Sequence, residues 1–276
     1  MALFIQTNVG SMVAQNHLQK TQSALSGNFA KLSSGYRINS AADDAAGLGI
    51  SKTMGAQVRS LAVAERNASD GISMAQTADG AAEQIHSILT RMRELAVQGA
   101  NGTLSSGDST NLNTEFQANL SEIDRIAQVT TFTGHNLLSG SSTSVTFQVG
   151  INNVAAADRM SISFGGADVA GLSLTSSAVD SVANARTAIG TLDSAINTLS
   201  TLREGWGAAT NRLTATVTNL QSMQSNLSAS LSRIQDVDIA SETASMSRNQ
   251  VLSQAGVAVL SQANQSPQLA LSLLRG

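Results

Sequence analysis

The sequence predicts a mainly α fold: an elongated antiparallel helical bundle or coiled coil formed by both termini, with a small β-hairpin region in the middle. Three observations carry that expectation. Only one proline, Pro267, stands among the 276 residues, so helices can run long without the kink that a ring and a missing N–H impose. Apolar residues return every three or four positions over most of the chain, the spacing of a single buried stripe on a helix. Two short stretches in the middle alternate polar and apolar instead, which is strand periodicity.

Taken in order, Leu18, Leu25, Phe29, Leu32 and Tyr36 mark a first helix. Ile50, Met54, Val58 and Leu61 open a second, which continues through Ile72, Ile85, Leu89, Met92 and Val97. That second helix is roughly 50 residues, or about 75 Å at 1.5 Å per residue, and predicts an elongated molecule. Leu104 to Asp108 is a Ser/Gly turn, after which Leu112, Phe116, Leu120, Ile123 and Ile126 predict a third helix folded back on the second. The segments Ser144 to Val149 and Met160 to Phe164 then read as a β-hairpin. Helical period returns with Val182, Ala185, Ile189, Leu192, Ile196, Leu199 and Leu202, and again with Leu213, Leu220, Met223, Leu227, Leu231 and Ile234. A last helical stretch carries Val251, Val259 and Leu260 and ends near Leu274.

Each outer arm alone would leave an apolar face in water, so the two arms are expected to pair. A two-helix pair buries only part of its surface. The outermost segments, about Met1 to Ser40 and Arg233 to Gly276, are therefore expected to order only against neighbouring copies. Stripes of this kind also line the core of an ordinary helical bundle, and periodicity alone leaves both readings open.

Composition narrows the function classes. Charged residues make up 13% of the chain, against roughly a quarter in an average soluble domain. Mean hydropathy is only +0.02, so the surface is polar but weakly charged, and copies of the chain can pack side by side with little long-range repulsion. A net charge of -3 gives no footprint for nucleic acid or an anionic membrane. No window approaches the ~20 apolar residues of a membrane span, and Met1 to Gly10 carries no cleavable leader pattern. Export, if it occurs, is expected to leave the N-terminus intact. Cysteine is absent, which removes disulfides, thiolate metal sites and cysteine nucleophiles together.

No catalytic constellation is present in the sequence. His17, His86 and His135 lie in separate segments outside any metal-ligand spacing. Asp43 and Asp44 are adjacent, point about 100° apart if helical, and read as helix-start residues that complement the macrodipole. Gly47-Leu-Gly49 and Gly165-Gly166 lack the lysine and the strand-to-helix setting of a phosphate loop. The residues point to a structural protein with no catalytic residues, no metal site and no cofactor.

The terminal residues add a more specific signal. Asn8, Gln15-Asn16, Leu18, Thr21 to Leu25, Lys31 to Ser40 and Asp43 to Gly47 resemble the N-terminal signature of bacterial flagellins. Arg66 to Gln76, Arg93 to Gln98 and Glu122 to Arg125 continue it. The C-terminal arm matches through Asn211 to Leu213, Ile234, Asp236 to Asp238, Glu242, Ala263-Asn264, Gln268 and Leu273 to Arg275. The resemblance covers both arms, roughly three-quarters of the chain.

What the resemblance implies is a partition into residues 1–43 and 233–276 as inner-core polymerisation segments, 44–140 and 177–232 as outer-core helices, and 141–176 as a variable middle facing solvent. Only about 35 residues separate Leu138 from Thr175, room for a hairpin and no further outer domain, so the chain resembles a minimal member of the family. The implied function is a secreted structural subunit that polymerises into the extracellular flagellar filament for motility after unfolded export. In the inner core Leu18, Leu25, Phe29 and Leu32 are expected to meet Leu260, Leu269, Leu271, Leu273 and Leu274.

Implied partners are further copies of the chain, an export chaperone with the secretion apparatus, and the hook-filament junction and cap proteins. Thr90 to Gln98 is similar to the segment that the flagellin-sensing Toll-like receptor of vertebrates recognises, with Arg91, Leu95 and Gln98 on matching positions and Glu115 as a further contact. The competing reading is that Leu95 belongs to the core stripe and the arginines hold neighbouring subunits in register. Leu273, Leu274 and Arg275 resemble the segment read by inflammasome sensors and the chaperone. Ser139 to Thr146 is either a glycan-bearing or an unmodified loop. Trp206 replaces the smaller residues usual in the family and either fills a core gap or marks a subunit contact. The nearest alternative is a hook-filament junction protein with the same terminal architecture.

Overall fold

The structure, a computed structural model, describes residues 7–140 and 143–275, of which 266–275 are described by backbone alone. The chain divides into two compact units, one made of Met1–Val58 with Asn226–Gly276, the other of Arg59–Ser225.

In the first unit, helix α1 (Val9–Ser34) begins at Asn8, whose side chain accepts from the Ser11 N–H and satisfies one of the orphan donors of the first turn. It ends at Gly35, which sits at φ 75° and closes the last turn on the Lys31 carbonyl. Only glycine takes that left-handed C-terminal position without a Cβ penalty. Lys31 in the last turn complements the negative end of the helix. Helix α2 (Ala45–Gly99) starts after Asp44, which accepts from the Gly47 N–H at 2.8 Å. Of the acidic pair, Asp44 is thus the helix-start residue. Asp43 instead closes the preceding loop, accepting from the Asn39 and Ser40 N–H groups and the Ser40 hydroxyl.

The C-terminal arm enters the same unit through the end of helix α5 (Val182–Gln235) and all of helix α6 (Ile239–Arg275). The loops between helices are tied by a Tyr36–Asp236 bridge, with Arg37 N–H donating to the Gln235 carbonyl at 2.7 Å and Val237 N–H to the Gly35 carbonyl at 3.0 Å. Helices α1 and α6 then pair antiparallel: Tyr36 lies at Asp236, Asn28 at Asn249, Leu18 at Gly256 and Asn8 at Ala263. The arms therefore pair with each other, as the matching stripes predict.

The second unit holds the main core. Helix α3 (Ser106–Val129) opens with a reciprocal capping box between Ser105 and Asp108 and folds back on α2. On α2, Leu61, Ala64, Ala68, Gly71, Ala75, Ala78, Ala82, Ile85, Leu89, Met92, Ala96 and Gly99 are all buried. They recur every three and four residues without a break, which is a coiled-coil seam. Half of that seam is alanine, a residue that periodicity of large apolar side chains does not register. Two members of the expected stripe face outward, Ile50 and Val97: Val97 falls between the seam positions Ala96 and Gly99, and Ile50 precedes the buried seam, in the first unit.

Strands β1 (Thr131–Phe132) and β2 (His135–Asn136) form a minimal hairpin around Thr133 and Gly134, both at positive φ, as a two-residue primed turn requires. Strands β3 (Thr143–Gln148) and β4 (Arg159–Phe164) form the hairpin expected from the alternation, pairing Thr143 with Phe164 through to Gln148 with Arg159. A single helical turn, α4 (Ala155–Asp158), precedes β4. The middle does not face solvent throughout. Ile162 and Phe164 are buried, and Phe147 lies beside Gly71, where an added Cβ would stand 3.0 Å from Leu213 and 3.3 Å from the Phe147 ring. The apolar side of the hairpin is needed to cover the helices.

The connection to α5 is strapped down by α3. Asn113 accepts from the Val179 N–H, Asp124 from the Val169 N–H, and Gln117 donates to the Ser177 carbonyl. Leu172, Leu174 and Val179 are buried beneath.

Candidate functional site

Two surfaces carry the residues singled out in the sequence. The first is the α1–α6 pair. Its inward seam on α1 runs Ser11, Ala14, Leu18, Thr21, Leu25, Asn28 and Leu32. The facing seam on α6 runs Glu242, Met246, Asn249, Ser253, Gly256, Leu260 and Ala263. Both follow the three-and-four spacing of a coiled coil, yet small and polar residues outnumber large apolar ones.

Other large apolar side chains stay exposed: Val9, Met12, Val13 and Phe29 on α1, and Val251, Leu252, Val257 and Val259 on α6, with Phe29 at 51% and Val251 at 64%. Each arm thus carries large apolar side chains that the described residues leave in solvent. Of the expected contact residues, Leu18, Leu25, Leu32 and Leu260 are half-buried in the seam and Phe29 lies in solvent. Leu18 sits against Gly256. Leu269, Leu271, Leu273, Leu274 and Arg275 lie outside the residues whose side chains are described.

The second surface is on α2 and α3. Arg91 donates to Glu115 at 2.9 and 3.0 Å and to Glu94 at 3.0 Å. Glu115, and after it Glu94, raise the Arg91 guanidinium above its ordinary range. The groups remain exposed, so the pairing adds little stability and chiefly orients a mixed-charge patch. Gln98 is exposed beside it. Leu95, three residues before Gln98 in sequence, is 1% exposed and belongs to the core with Met92 and Phe116. A docking molecule therefore meets Arg91, Gln98 and Glu115 but not the Leu95 side chain.

Neighbouring ion pairs tie helices of this unit together. Arg93 donates to Asp193 at 2.6 Å, and that bond holds the Asp193 carboxyl below its ordinary range. Arg203 bridges Asp79 and Glu83. Sequence reasoning missed Arg203, and it missed Asn28, Glu242 and Asn249, because a polar residue on a helical stripe looks like an interruption until its partner is seen.

No chemistry-bearing cluster competes with these surfaces. His17, His86 and His135 sit on α1, α2 and β2. Among the described residues no group of three or more His, Cys, Asp or Glu side chains is placed to hold a metal ion, and no helix is long and apolar enough to cross a membrane.

Comparison with known proteins bears on what such surfaces do. Residues 5–143 match the bacterial flagellin N-terminal helical region and residues 189–274 the bacterial flagellin C-terminal helical region. A flagellin of Halalkalibacterium halodurans is 45% identical over 247 residues, covering 89% of this chain and 90% of the relative. The flagellar filament 33 kDa core protein of Treponema phagedenis is 39% identical over 288 residues, covering 99% of this chain and all of the relative (100%). A solved structure described as a flagellar hook-associated protein of Vibrio parahaemolyticus superposes with a TM-score of 0.58 at 15% identity, over 70% of this chain and 100% of that one. At that identity the likeness concerns the fold alone.

Proposed function

The chain belongs to the bacterial flagellin family, whose members are structural filament proteins and not enzymes, and on that premise we propose how this chain assembles, where it acts and what it meets. It is a structural subunit of the flagellar filament. Residues 1–43 and 233–276 form the polymerisation core, 44–140 and 177–232 the outer helices, and 141–176 a short variable middle. The observation that carries this reading is the exposed apolar residues of the α1–α6 pair, with Phe29, Val251, Leu252, Val257 and Val259 in solvent. Large apolar side chains left exposed in such number on one helix pair mark an interaction surface. Burying one such side chain is worth ~1.5 to 3 kcal/mol, so a few of them offset the ordering entropy of a short segment only when neighbours cover them.

In this reading the chain is exported through the flagellar secretion channel before its arms pair, and it acts outside the cell. An export chaperone holds the C-terminal helix, including Leu273, Leu274 and Arg275, until release. Junction proteins of related terminal architecture and cap proteins bound the polymer. Leu18, Leu25, Phe29 and Leu32 meet Leu260, Leu269, Leu271, Leu273 and Leu274 in the inner core of the filament. The Arg91, Gln98 and Glu115 patch serves as a subunit contact in the filament and as the docking face for a flagellin-sensing Toll-like receptor on the free monomer.

The test is electron microscopy and sedimentation of purified chain. Long filaments from the full chain, and soluble monomers from a chain cut to residues 44–232, are the expected results. Filaments from the shortened chain would remove polymerisation from the ends. Persistent monomers of the full chain at high concentration would favour a junction protein.

A further inference from the structure

The α1–α6 seam poses a problem of register. In most paired helices large apolar knobs decide which residues face which, but here the seam is built largely from Ser11, Ala14, Thr21, Ser253, Gly256 and Ala263. The larger Leu18, Leu25, Leu32, Met246 and Leu260 are scattered among them, and the Tyr36–Asp236 bridge with its two backbone hydrogen bonds ties the loop end of the pair. Polar contacts within the helices add a further constraint on the pairing.

Asn28 is the most enclosed large polar residue of the seam, 9% exposed in the C-terminal third of α1. Its amide nitrogen donates to the Glu242 carboxylate, and its carbonyl oxygen accepts from the Asn249 amide at 2.8 Å. Glu242 and Asn249 stand seven residues apart on one face of α6, one on either side of Asn28. The donor end and the acceptor end of one amide are thus matched to two different neighbours.

We propose that Asn28, clasped between Glu242 and Asn249, determines the register of the terminal helix pair along α1 and α6, beyond the loop tie at Tyr36 and Asp236, so that polar matching outweighs leucine packing in deciding which N-terminal residues meet which C-terminal ones. This rests on the reading of the two arms as the polymerisation core. A heptad slide in one direction leaves Asn28 between Asn249 and Gly256, which has no side chain to bond it. The opposite slide carries it toward Gln235, before α6 begins. Only the observed register satisfies both ends of the amide, and an enclosed amide left unpaired is penalised. Asn8 reinforces the same register from the far end by donating to the Ala263 carbonyl at 2.8 Å.

The absence of cysteine makes a clean test available in the full chain. A Cβ built on Gly256 lies 3.9 Å from the Leu18 Cβ, inside the 3.5–4.5 Å window of a disulfide. The Leu18→Cys/Gly256→Cys pair reports the observed register, and Leu18→Cys/Ala263→Cys reports a heptad slide. Both are equilibrated in glutathione buffer, and the intramolecular disulfide is scored by gel mobility. With the clasp intact the first pair is expected to close at least about tenfold more readily than the second. Adding Asn28→Leu, which keeps the position filled and apolar, is expected to lower that preference by about tenfold, the weight of one to two net hydrogen bonds, while the summed yield of the two disulfides holds.

An undiminished preference in Asn28→Leu overturns the proposal. So does an equal loss of both disulfides, which would mean that the clasp holds the pair together without selecting its register. Failure of the first pair to close with Asn28 present overturns it as well. Because the disulfide is intramolecular, the readout does not depend on polymerisation, and a chain that failed to build filaments would count against the proposed function alone.

Discussion

The Trp206 indole N–H donates to the Ser163 carbonyl at 2.9 Å, and its ring stacks on Phe164 with centroids 6.1 Å apart and planes 25° from parallel. At 2% exposure the tryptophan fills the core between α5 and the β3–β4 hairpin, so of its two readings the core one holds within the chain. Replacing it should loosen the second unit. Trp206→Ala is expected to destabilise by about 3–5 kcal/mol, and Trp206→Phe by less, about 1–3 kcal/mol, through the orphaned Ser163 carbonyl. Urea unfolding followed by far-UV circular dichroism measures both. An unchanged midpoint for Trp206→Ala would contradict the packing.

Leu95 and Arg91 should separate in their effects. Leu95→Ala removes a core side chain and is expected to cost about 2–5 kcal/mol. Arg91→Ala and Gln98→Ala alter an exposed patch and should leave the thermal midpoint within about 2 °C, the scale of a surface substitution. Cell-based receptor signalling by the monomer, measured beside thermal unfolding, distinguishes contact from stability. Arg91→Ala and Gln98→Ala should reduce signalling without unfolding, and full signalling by the Arg91→Ala/Gln98→Ala double variant would exclude the patch as the docking face.

The exposed apolar residues of the arms predict a third pattern. Phe29→Asp and Val257→Asp place a charge where a neighbouring copy would bury an apolar side chain, and uncompensated burial of a carboxylate is strongly unfavourable. Each should abolish sedimentable polymer at concentrations where the parent chain assembles. Monomer circular dichroism should stay the same, because both positions already face water. Normal assembly by either variant would move the contact surface elsewhere.

Acid should act on the start of α3 in a defined direction. The Ser105 hydroxyl and then its N–H hold the Asp108 carboxyl below its ordinary value of 3.8. A carboxylate with a lowered folded pKa contributes stability above its unfolded pKa and loses it as pH falls through the folded value. The stability difference between the parent chain and Ser105→Ala is therefore expected to be level from about pH 7 to about pH 5 and to shrink below about pH 4. Chemical denaturation across that range checks it, and a difference that grew on acidification would refute the capping-box account.

Much of the fold could be read from residue spacing, and the exceptions share a cause. Helix α2 is legible because Leu61, Ile85, Leu89 and Met92 lie on its seam, whereas Ala64, Ala68, Ala75, Ala78, Ala82 and Ala96 escape a count of large apolar residues, so the stripe after Met92 passes to Val97. The hairpin at Thr133 and Gly134 is too short to carry an alternation. Of the candidate contacts, Phe29 was placed on an apolar helix and is apolar in solvent, whereas the partners of Asn28 lie more than two hundred residues away in the chain and have no local signature.

By itself the sequence determined the helices, their order and the hairpin in the middle, because hydrophobic period, caps and the position of the lone proline act over a few neighbouring residues. Residue matches at both ends identified the family. Tertiary structure alone decided which face of each arm is inside, which side chain of the Arg91 to Gln98 stretch is reachable, and where Trp206 belongs. Those outcomes depend on how two helices distant in sequence approach each other, where small residues permit close contact and a polar pair such as Asn28 and Asn249 has meaning only once both are in place.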